Sequence, residues 1–565
     1  MINKTFFSDM VANFDLATRI KLAMPRTSWQ LCLLAIIGGG ISSVLIVLFL
    51  SAISALQTLI LGNEQHYTSL NELSRFLLPI LGALCILSIA WITGYQYTRT
   101  GIPFVLHRLK VAYGVIPFRN TINQFFGGVV ALASGFSVGK EGPAVHLGAA
   151  CSGLIASKLQ LPYNAIRTLS ACGVAAGIAA CFNTPIAAVI FVMEVILREY
   201  KVHMFIPIML AAIVGSMVTS AVFGPAHDFE FTTAIALDYT QYAWVVALGV
   251  ALGAIASLFN RYLVEIIKYF QHLHIIKRFV IAGTITGVIG TLIPHAMGTD
   301  LAAINFIMGN NSHTTLLLGL LIAKCLLTIT AIGLGVPGGI IGPILGIGAV
   351  AGAAMAGMIG VEGFNIQMTS DFALMGMAGF MAATLNAPLA ALLAVVELSG
   401  QLNIIVPAML VISASCLSSG QFFKNRSVFI MQLNMQKLAY RKPPLEDSLH
   451  RIGVLGAMRT NIAVFTADKS EEFFENFAGS DDFLVMEKDG DYYWNEAIER
   501  ESGPKKYRQH KLIAISSRDT LAEAYWSLKE QRCGAVYVFD KSPDQILGII
   551  SFEQIRHYLL EGKIH

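Results

Sequence analysis

Charge is what this chain has least of. Lys and Arg together number 39 and Asp and Glu 36 in 565 residues, or 13%, where an ordinary soluble protein carries about 25%. So few charges cannot cover the surface of a soluble protein this long, and the 55% of apolar residues fit a polytopic membrane protein. Disulfide and metal chemistry are lacking too. The eight cysteines (Cys32, Cys85, Cys151, Cys172, Cys181, Cys325, Cys416 and Cys533) fall mostly inside apolar runs and show no metal-ligand spacing. No His-Glu-x-x-His, Gly-x-Ser-x-Gly elbow or pair of catalytic aspartates stands in those runs, so no enzyme is expected. Neither a cofactor nor a nucleic-acid partner is expected. No cleavable leader is expected either, since the first thirty residues hold Asp9, Asp15, Arg19, Lys21 and Arg26 and no early apolar core. Their modest basic excess ahead of the first span favours a cytoplasmic N-terminus.

What is present is a series of charge-free runs, over 31–63, 76–98, 120–139, 168–193, 239–260, 279–299, 325–361, 372–396 and 398–423. A spanning helix needs roughly 17 to 25 mostly apolar residues, and most of these qualify. The run from Cys325 to Val361 is too long and too rich in glycine for one straight helix, and is expected to break into two or more segments. Composition changes near Lys437. Beyond it short apolar strands ("FLVM", "AVYVF", "ILGII") alternate with amphipathic helical stretches ("TLAEAYWSLKEQ", "FEQIRHYLLEG"), which predicts a small α/β domain.

The apolar part repeats itself. Residues 172–195 align without gaps on 375–398, with ten of twenty-four positions identical, including Asn183/Asn386, Pro185/Pro388 and Glu194/Glu397. Upstream, "GKEGP" (139–143) falls on "GIIGP" (339–343). Duplicated halves with interrupted segments at matching places point to a transport site between them. In both motifs glycine and proline open an apolar run, and "RTGIP" (99–103) is a third such opening. A helix start of this kind presents N–H groups and the positive end of a dipole. In lipid it is tolerated only where it lines a cavity or is buried in protein. Three of them, without a supporting acidic cluster, suggest a site for a small anion. Close helix packing at the glycines is the plainer alternative.

"RTGIP", "GKEGP" and "GGIIGP", in this order, resemble the three signature motifs of the CLC chloride channel and transporter family, and "FNTPIAAVIFVME" strengthens the match. The resemblance implies a multi-pass α-helical membrane protein of two inverted repeats, forming a homodimer in which each subunit has its own anion pathway. The expected organisation is a cytoplasmic segment 1–30 and a membrane domain 31–436, with repeat halves about 31–225 and 239–436. A cytoplasmic region 437–565 would follow, resembling a pair of CBS modules at about 450–500 and, more clearly, 511–562. Both termini would then be cytoplasmic and the setting a plasma or inner membrane. Carried over residue by residue, the resemblance assigns anion contacts to the amides of Lys140, Gly142, Ile340 and Ile341 and the hydroxyl of Thr100. The family's pore tyrosine falls on Phe429, which cannot donate a hydrogen bond.

Glu141 is then an anion on a tether, placed beside amides that attract anions. It can occupy the site or be displaced or protonated so that chloride enters; a fixed ion pair with Lys140 is the alternative. The repeat-related position is Ile341, so one half alone carries this gate. Proton-coupled relatives have a second, inward-facing glutamate, and its position here is Val195. Glu194 beside it points about 100° away on an α-helix, and Glu199 is one turn further on. The family pattern's lysine ahead of the second motif is Gln124, which lessens the positive field, and Ile341 replaces a usual phenylalanine. Chloride transport leaning to passive, channel-like conduction is expected, with a chloride/proton antiporter using a non-standard route as the alternative. In the tail, Ser551 is followed by Gln554 where CBS nucleotide sites place an acid, so nucleotide is not expected to bind and a folding or dimerisation role is the safer reading.

Overall fold

The structure is a computed structural model and describes residues 16–62, 67–94, 101–224, 241–299, 303–304, 307, 314–359, 366–438, 448–466, 483–498 and 506–561. The chain forms two compact units, one of residues 32–154 and 169–440 and another of 1–31, 155–168 and 441–565.

Among its described residues the larger unit is built of helices. Its elements are α2 (Trp29–Leu61), α3 (Glu72–Ile92), α4 (Gly101–Val111), α5 (Phe118–Ala133), α6 (Glu141–Lys158), α7 (Tyr163–Phe182), α8 (Pro185–Phe191), α9 (Val202–Phe223), α10 (Gln241–Phe270) and α11 (Ile275–Leu292). They continue with α12 (Thr314–Leu334), α13 (Ile341–Ile359), α14 (Ile366–Leu385), α15 (Pro388–Ser399), α16 (Ile405–Leu417) and α17 (Val428–Met435). Among the described residues nine helices are long and apolar enough to cross a membrane. At 1.5 Å per residue α2 is about 50 Å long, well over a hydrocarbon core of about 30 Å, so it crosses at a tilt. The run from Cys325 breaks at Gly335–Ile340, between α12 and α13, as its glycine content predicts.

The two repeats are visible as matching geometry. Asn183 and Asn386 both take the left-handed conformation at φ 55°, a region asparagine tolerates better than most residues. Pro185 and Pro388 then open α8 and α15 at a position whose missing N–H costs nothing. Gly148 of α6 faces the Gly173 carbonyl of α7, and Gly348 of α13 faces the Gly376 carbonyl of α14, each too close for a side chain. Close packing at glycines is therefore real in the helix interiors. A cluster including Phe49, Phe136, Phe279, Leu132 and Leu334 fills the core beside them.

The smaller unit begins with α1 (Leu16–Ala23) and carries two sheets. The first runs β1 (Ile462–Thr466), β2 (Phe483–Lys488), β3 (Asp491–Ile498), β4 (Lys506–Lys511), with β1 and β2 parallel and the rest antiparallel. The second orders β5 (Ile513–Ser516), β6 (Ala535–Phe539) and β7 (Ile546–Ser551), with β5 and β6 parallel across α18 (Leu521–Leu528) and α19 (Phe552–Glu561) following β7. The three strands and two helices read from the tail are all found there. The stretch 467–482 lies outside the described residues. All eight cysteines carry free thiols.

An N-terminal helix belongs to the core of this C-terminal unit, which the tail's composition did not suggest. Ala23 lies in one cluster with Leu449, Val454, Val536 and Ile550. Arg19 donates to Asp540 Oδ1 at 2.6 Å and to Ser517 Oγ at 2.8 Å, and Ser517 donates to Asp540 at 2.8 Å. Burial alone would raise the Asp540 carboxyl, but the Arg19 and Ser517 hydrogen bonds together hold it below its ordinary value of 3.8. A carboxylate so depressed contributes stability that is complete above the unfolded value and is lost as pH falls through the folded one. Protection of the α1 amides from hydrogen exchange should therefore be flat from neutral pH to about 5 and decline only in stronger acid. Asp540→Asn should reduce that protection at neutral pH and flatten its acid dependence.

Candidate anion site

The site is built on backbone. Gly139 and Gly339, repeat-related residues just ahead of α6 and α13, exchange hydrogen bonds: Gly139 N–H to Gly339 O at 2.8 Å and Gly339 N–H to Gly139 O at 2.7 Å. This reciprocal antiparallel bridge is what an approximate two-fold relation between the repeats requires. A Cβ on either glycine would run into the Glu141 carboxylate, and one on Gly142 would sit 2.5 Å from Gly338 O. Only bare backbone fits where the two motifs cross. The carboxylate occupies the space directly over that crossing, and Glu141 is 1% exposed.

Both helices after the crossing start late. The first helical bonds are Ala144 N–H to Lys140 O at 3.1 Å and Ile344 N–H to Ile340 O at 3.0 Å. The amides of Gly142 and Ile341 thus lie ahead of them, without an acceptor inside their helices. The Lys140 ammonium stands 4.7 Å from the Phe182 ring centroid. Ile340 and Ile341 are buried at 3% and 6%. Thr100 and Arg99 lie outside the described residues.

The first motif is held in an unanticipated way. Gln124 is fully buried, and its Oε1 accepts from Gly101 N–H at 3.1 Å. The residue in the family's lysine position therefore removes a charge and also takes up one of the helix-start amides.

Two cavities flank the crossing. On one side about 90 Å³ is lined by Gly101–Pro103, Gly338–Ile340, Phe429, Gln432, Gln436 and Arg278, among others. Backbone from the first and third motifs meets Phe429 here. On the other side about 30 Å³ is lined by Glu141, Thr184, Ile178, Phe182, Phe191, Ile341, Leu345 and Met381, with alanines and Leu398 completing it. Apart from Glu141 and Thr184 that lining is hydrocarbon.

The carboxylates near Val195 are engaged elsewhere. Glu194 accepts from Ala390 N–H at 2.7 Å and Leu389 N–H at 3.3 Å, at the start of α15. Its repeat partner Glu397 accepts from Ala187 N–H at 2.8 Å and Ile186 N–H at 3.0 Å, at the start of α8. Each repeat thus satisfies the orphan amides of the other. The chain continues α8 into wider i→i+5 turns over Val192–Leu197, ended by Arg198 at φ 56°. Glu199 pairs with Lys201 at 2.5 Å and Lys110 at 3.8 Å. Val195 is 6% exposed. The identity of Glu194 and Glu397 across the repeat was the one sequence signal of this exchange.

With this geometry in place the comparisons with known proteins can be read. The profile of the voltage-gated chloride channel family matches residues 82–420, more than half the chain. The chain belongs to that family. It is 26% identical over 429 residues to the "H(+)/Cl(-) exchange transporter ClcA" of Salmonella schwarzengrund, covering 72% of this chain and 89% of that protein. The protein of the same name from Citrobacter koseri is 27% identical over 415 residues, covering 70% and 86%. Among solved structures, a slow cyanobacterial Cl⁻/H⁺ antiporter aligns with TM-score 0.64 at 22% identity, over 72% of this chain and 98% of that one. A eukaryotic CLC transporter aligns with TM-score 0.60 at 20% identity over 93% of this chain and 98% of that one, which takes in the C-terminal unit. These likenesses establish a multi-pass membrane protein of the CLC fold with CLC-type anion transport as its activity.

Removing one of the exchanged carboxylates takes the acceptor from two helix-start amides. Glu194→Ala and Glu397→Ala should each destabilise the protein by about 1 to 3 kcal/mol, read as a drop in thermal unfolding temperature in detergent. Glu194→Gln, which keeps one acceptor oxygen, should recover part of the loss.

Proposed function

We propose that this chain conducts chloride passively, with Glu141 as the gate. The observation that carries this reading is the pairing of Val195 with two carboxylates already committed: Glu194 to the start of α15, Glu199 to Lys201 and Lys110. A proton cannot cross an apolar stretch without a titratable group or a water chain, because an isolated charge in low dielectric is heavily penalised. The cavity beside Glu141 is lined otherwise by Thr184 and hydrocarbon, with no second titratable side chain among the described residues. Anions need only donors and room. The Gly142 and Ile341 amides, with those of Lys140 and Ile340, provide donors, and the cavity at Phe429 provides room. The hydroxyl of Thr100 would add a side-chain donor to the same pathway. The Glu141 carboxylate over the glycine crossing is an internal competitor for the position that chloride would take.

Coupled chloride/proton exchange is the second reading, favoured by the names that the two enterobacterial relatives carry. It requires a proton route that bypasses Val195. The assembly goes with either: two subunits, each with its own pathway, and both termini cytoplasmic. The strand–helix–strand–strand–helix order of 513–561 supports a CBS-like second module. In it Gln554 Oε1 accepts from Ser551 N–H at 2.9 Å and Ser551 Oγ from Gln554 N–H at 3.2 Å. Those bonds start α19 and commit the glutamine oxygen to the helix rather than to a ribose, so a structural role suits the module best.

In liposomes an imposed chloride gradient should move chloride with no uphill proton movement, recorded as chloride release with simultaneous external pH. Uphill proton pumping by the unmodified protein would defeat the channel reading. Glu141→Gln, a fixed neutral mimic of the protonated gate, should remove most of the pH dependence of flux. Phe429→Tyr adds a donor worth about 0.5 to 1.5 kcal/mol or more toward a charged partner, so calorimetric chloride binding should tighten at least a few-fold.

A further inference from the structure

The cavity on the Phe429 side contains one feature that the motifs do not explain. Among the described residues Arg278 is the only charged one lining it, and no carboxylate shares the lining. The arginine's Nε is buried with no hydrogen-bond partner, and among the described residues it forms no ion pair. Its place in the fold makes this worse. Arg278 lies in the first turns of α11, which starts at Ile275, and a cation at the positive end of a helix dipole is destabilising. A half-buried guanidinium, facing a helix start and lacking a counter-charge, lies in a cavity it shares with backbone of the first and third motifs. Gln432, 5% exposed, and Gln436 add neutral amide groups that can donate.

We propose that Arg278 is an anion-capture residue, holding a partly hydrated chloride in this cavity before it reaches the glycine crossing. The room suffices, since about 10 to 15 Å³ of such space accommodates one water and the cavity has about 90 Å³. The missing counter-charge is then the transported ion itself, present only while the pathway is loaded. Arg278 also supplies positive potential on a pathway whose family lysine is replaced by Gln124. The other source of the same chemistry is a lipid phosphate reached from the membrane surface. The proposal rests on anion transport through this chain and holds whether or not protons are exchanged.

The test is chloride flux from liposomes as a function of chloride concentration. Arg278→Gln should raise the half-saturating concentration roughly tenfold, and at least about threefold, with flux at saturation retained. Arg278→Lys, which keeps the charge, should stay within about twofold of the parent. In the unmodified protein, raising ionic strength with an impermeant salt should raise the half-saturating concentration and narrow the gap to Arg278→Gln, because the attraction is screened. An unchanged concentration dependence in Arg278→Gln, an equal defect in Arg278→Lys, or insensitivity of the parent to ionic strength would each overturn the proposal. A defect seen only in liposomes with anionic lipid, and absent in purely zwitterionic ones, assigns the residue to a lipid phosphate and overturns it too. Proton coupling is read separately on the pH electrode, so failure of the channel reading leaves this result standing.

Discussion

The paired hydrogen bonds between Gly139 and Gly339 set the terms for everything near them. Irregular backbone at membrane depth has no water to satisfy it and must be paired inside the protein. Here two interrupted segments satisfy each other, which is possible only if both arrive with no side chain at the crossing. Pro143 and Pro343 follow, each without an N–H to satisfy, and the amides of Gly142 and Ile341 lie ahead of the first helical bonds. A single carboxylate fits the space over the glycines. The place of the Glu141 carboxylate, the helix-start amides and the repeat symmetry therefore come from one packing requirement.

The same reciprocity recurs away from the crossing. Glu194 and Glu397 exchange positions at the starts of α15 and α8, and Asn183 and Asn386 turn the chain ahead of each. A carboxylate at a helix start is favoured by the dipole and by direct hydrogen bonds. Committed that way, Glu194 is tied to architecture. A valine next to it leaves the wide-turn segment without a group to spare.

Local features were legible in the sequence and long-range pairings were not. The break between α12 and α13, the helix starts within "GKEGP" and "GGIIGP", the matching halves and the strands of the tail all come from spacing and composition. The partners of Glu194 lie 195 and 196 residues away, and those of Glu397 at 210 and 211. No periodicity encodes such a contact. Gln124 is similar: its type reported a lost charge, while its bond to Gly101 depends on how α5 packs against α4. Arg278 and the N-terminal helix were invisible for the same reason, since each matters only through what the fold brings beside it.

Symmetry of backbone with asymmetry of side chains is what gives the pathway direction. The two motif loops are near equivalents, yet one carries Glu141 and the other Ile341, and the cavities beside them differ accordingly. One is lined by exposed backbone, two glutamines and an arginine; the other is nearly all hydrocarbon around Glu141 and Thr184. On the proposed pathway an anion would meet donors on the first side and then a competing carboxylate. Beyond it, hydrocarbon makes any charge costly unless water enters or the helices move apart. With Glu141 as the proposed gate, the barrier to conduction would lie at and just past it. Movement of that one side chain would change both the occupancy of the crossing and the polarity of the space beyond it, so the proposed gating can be local.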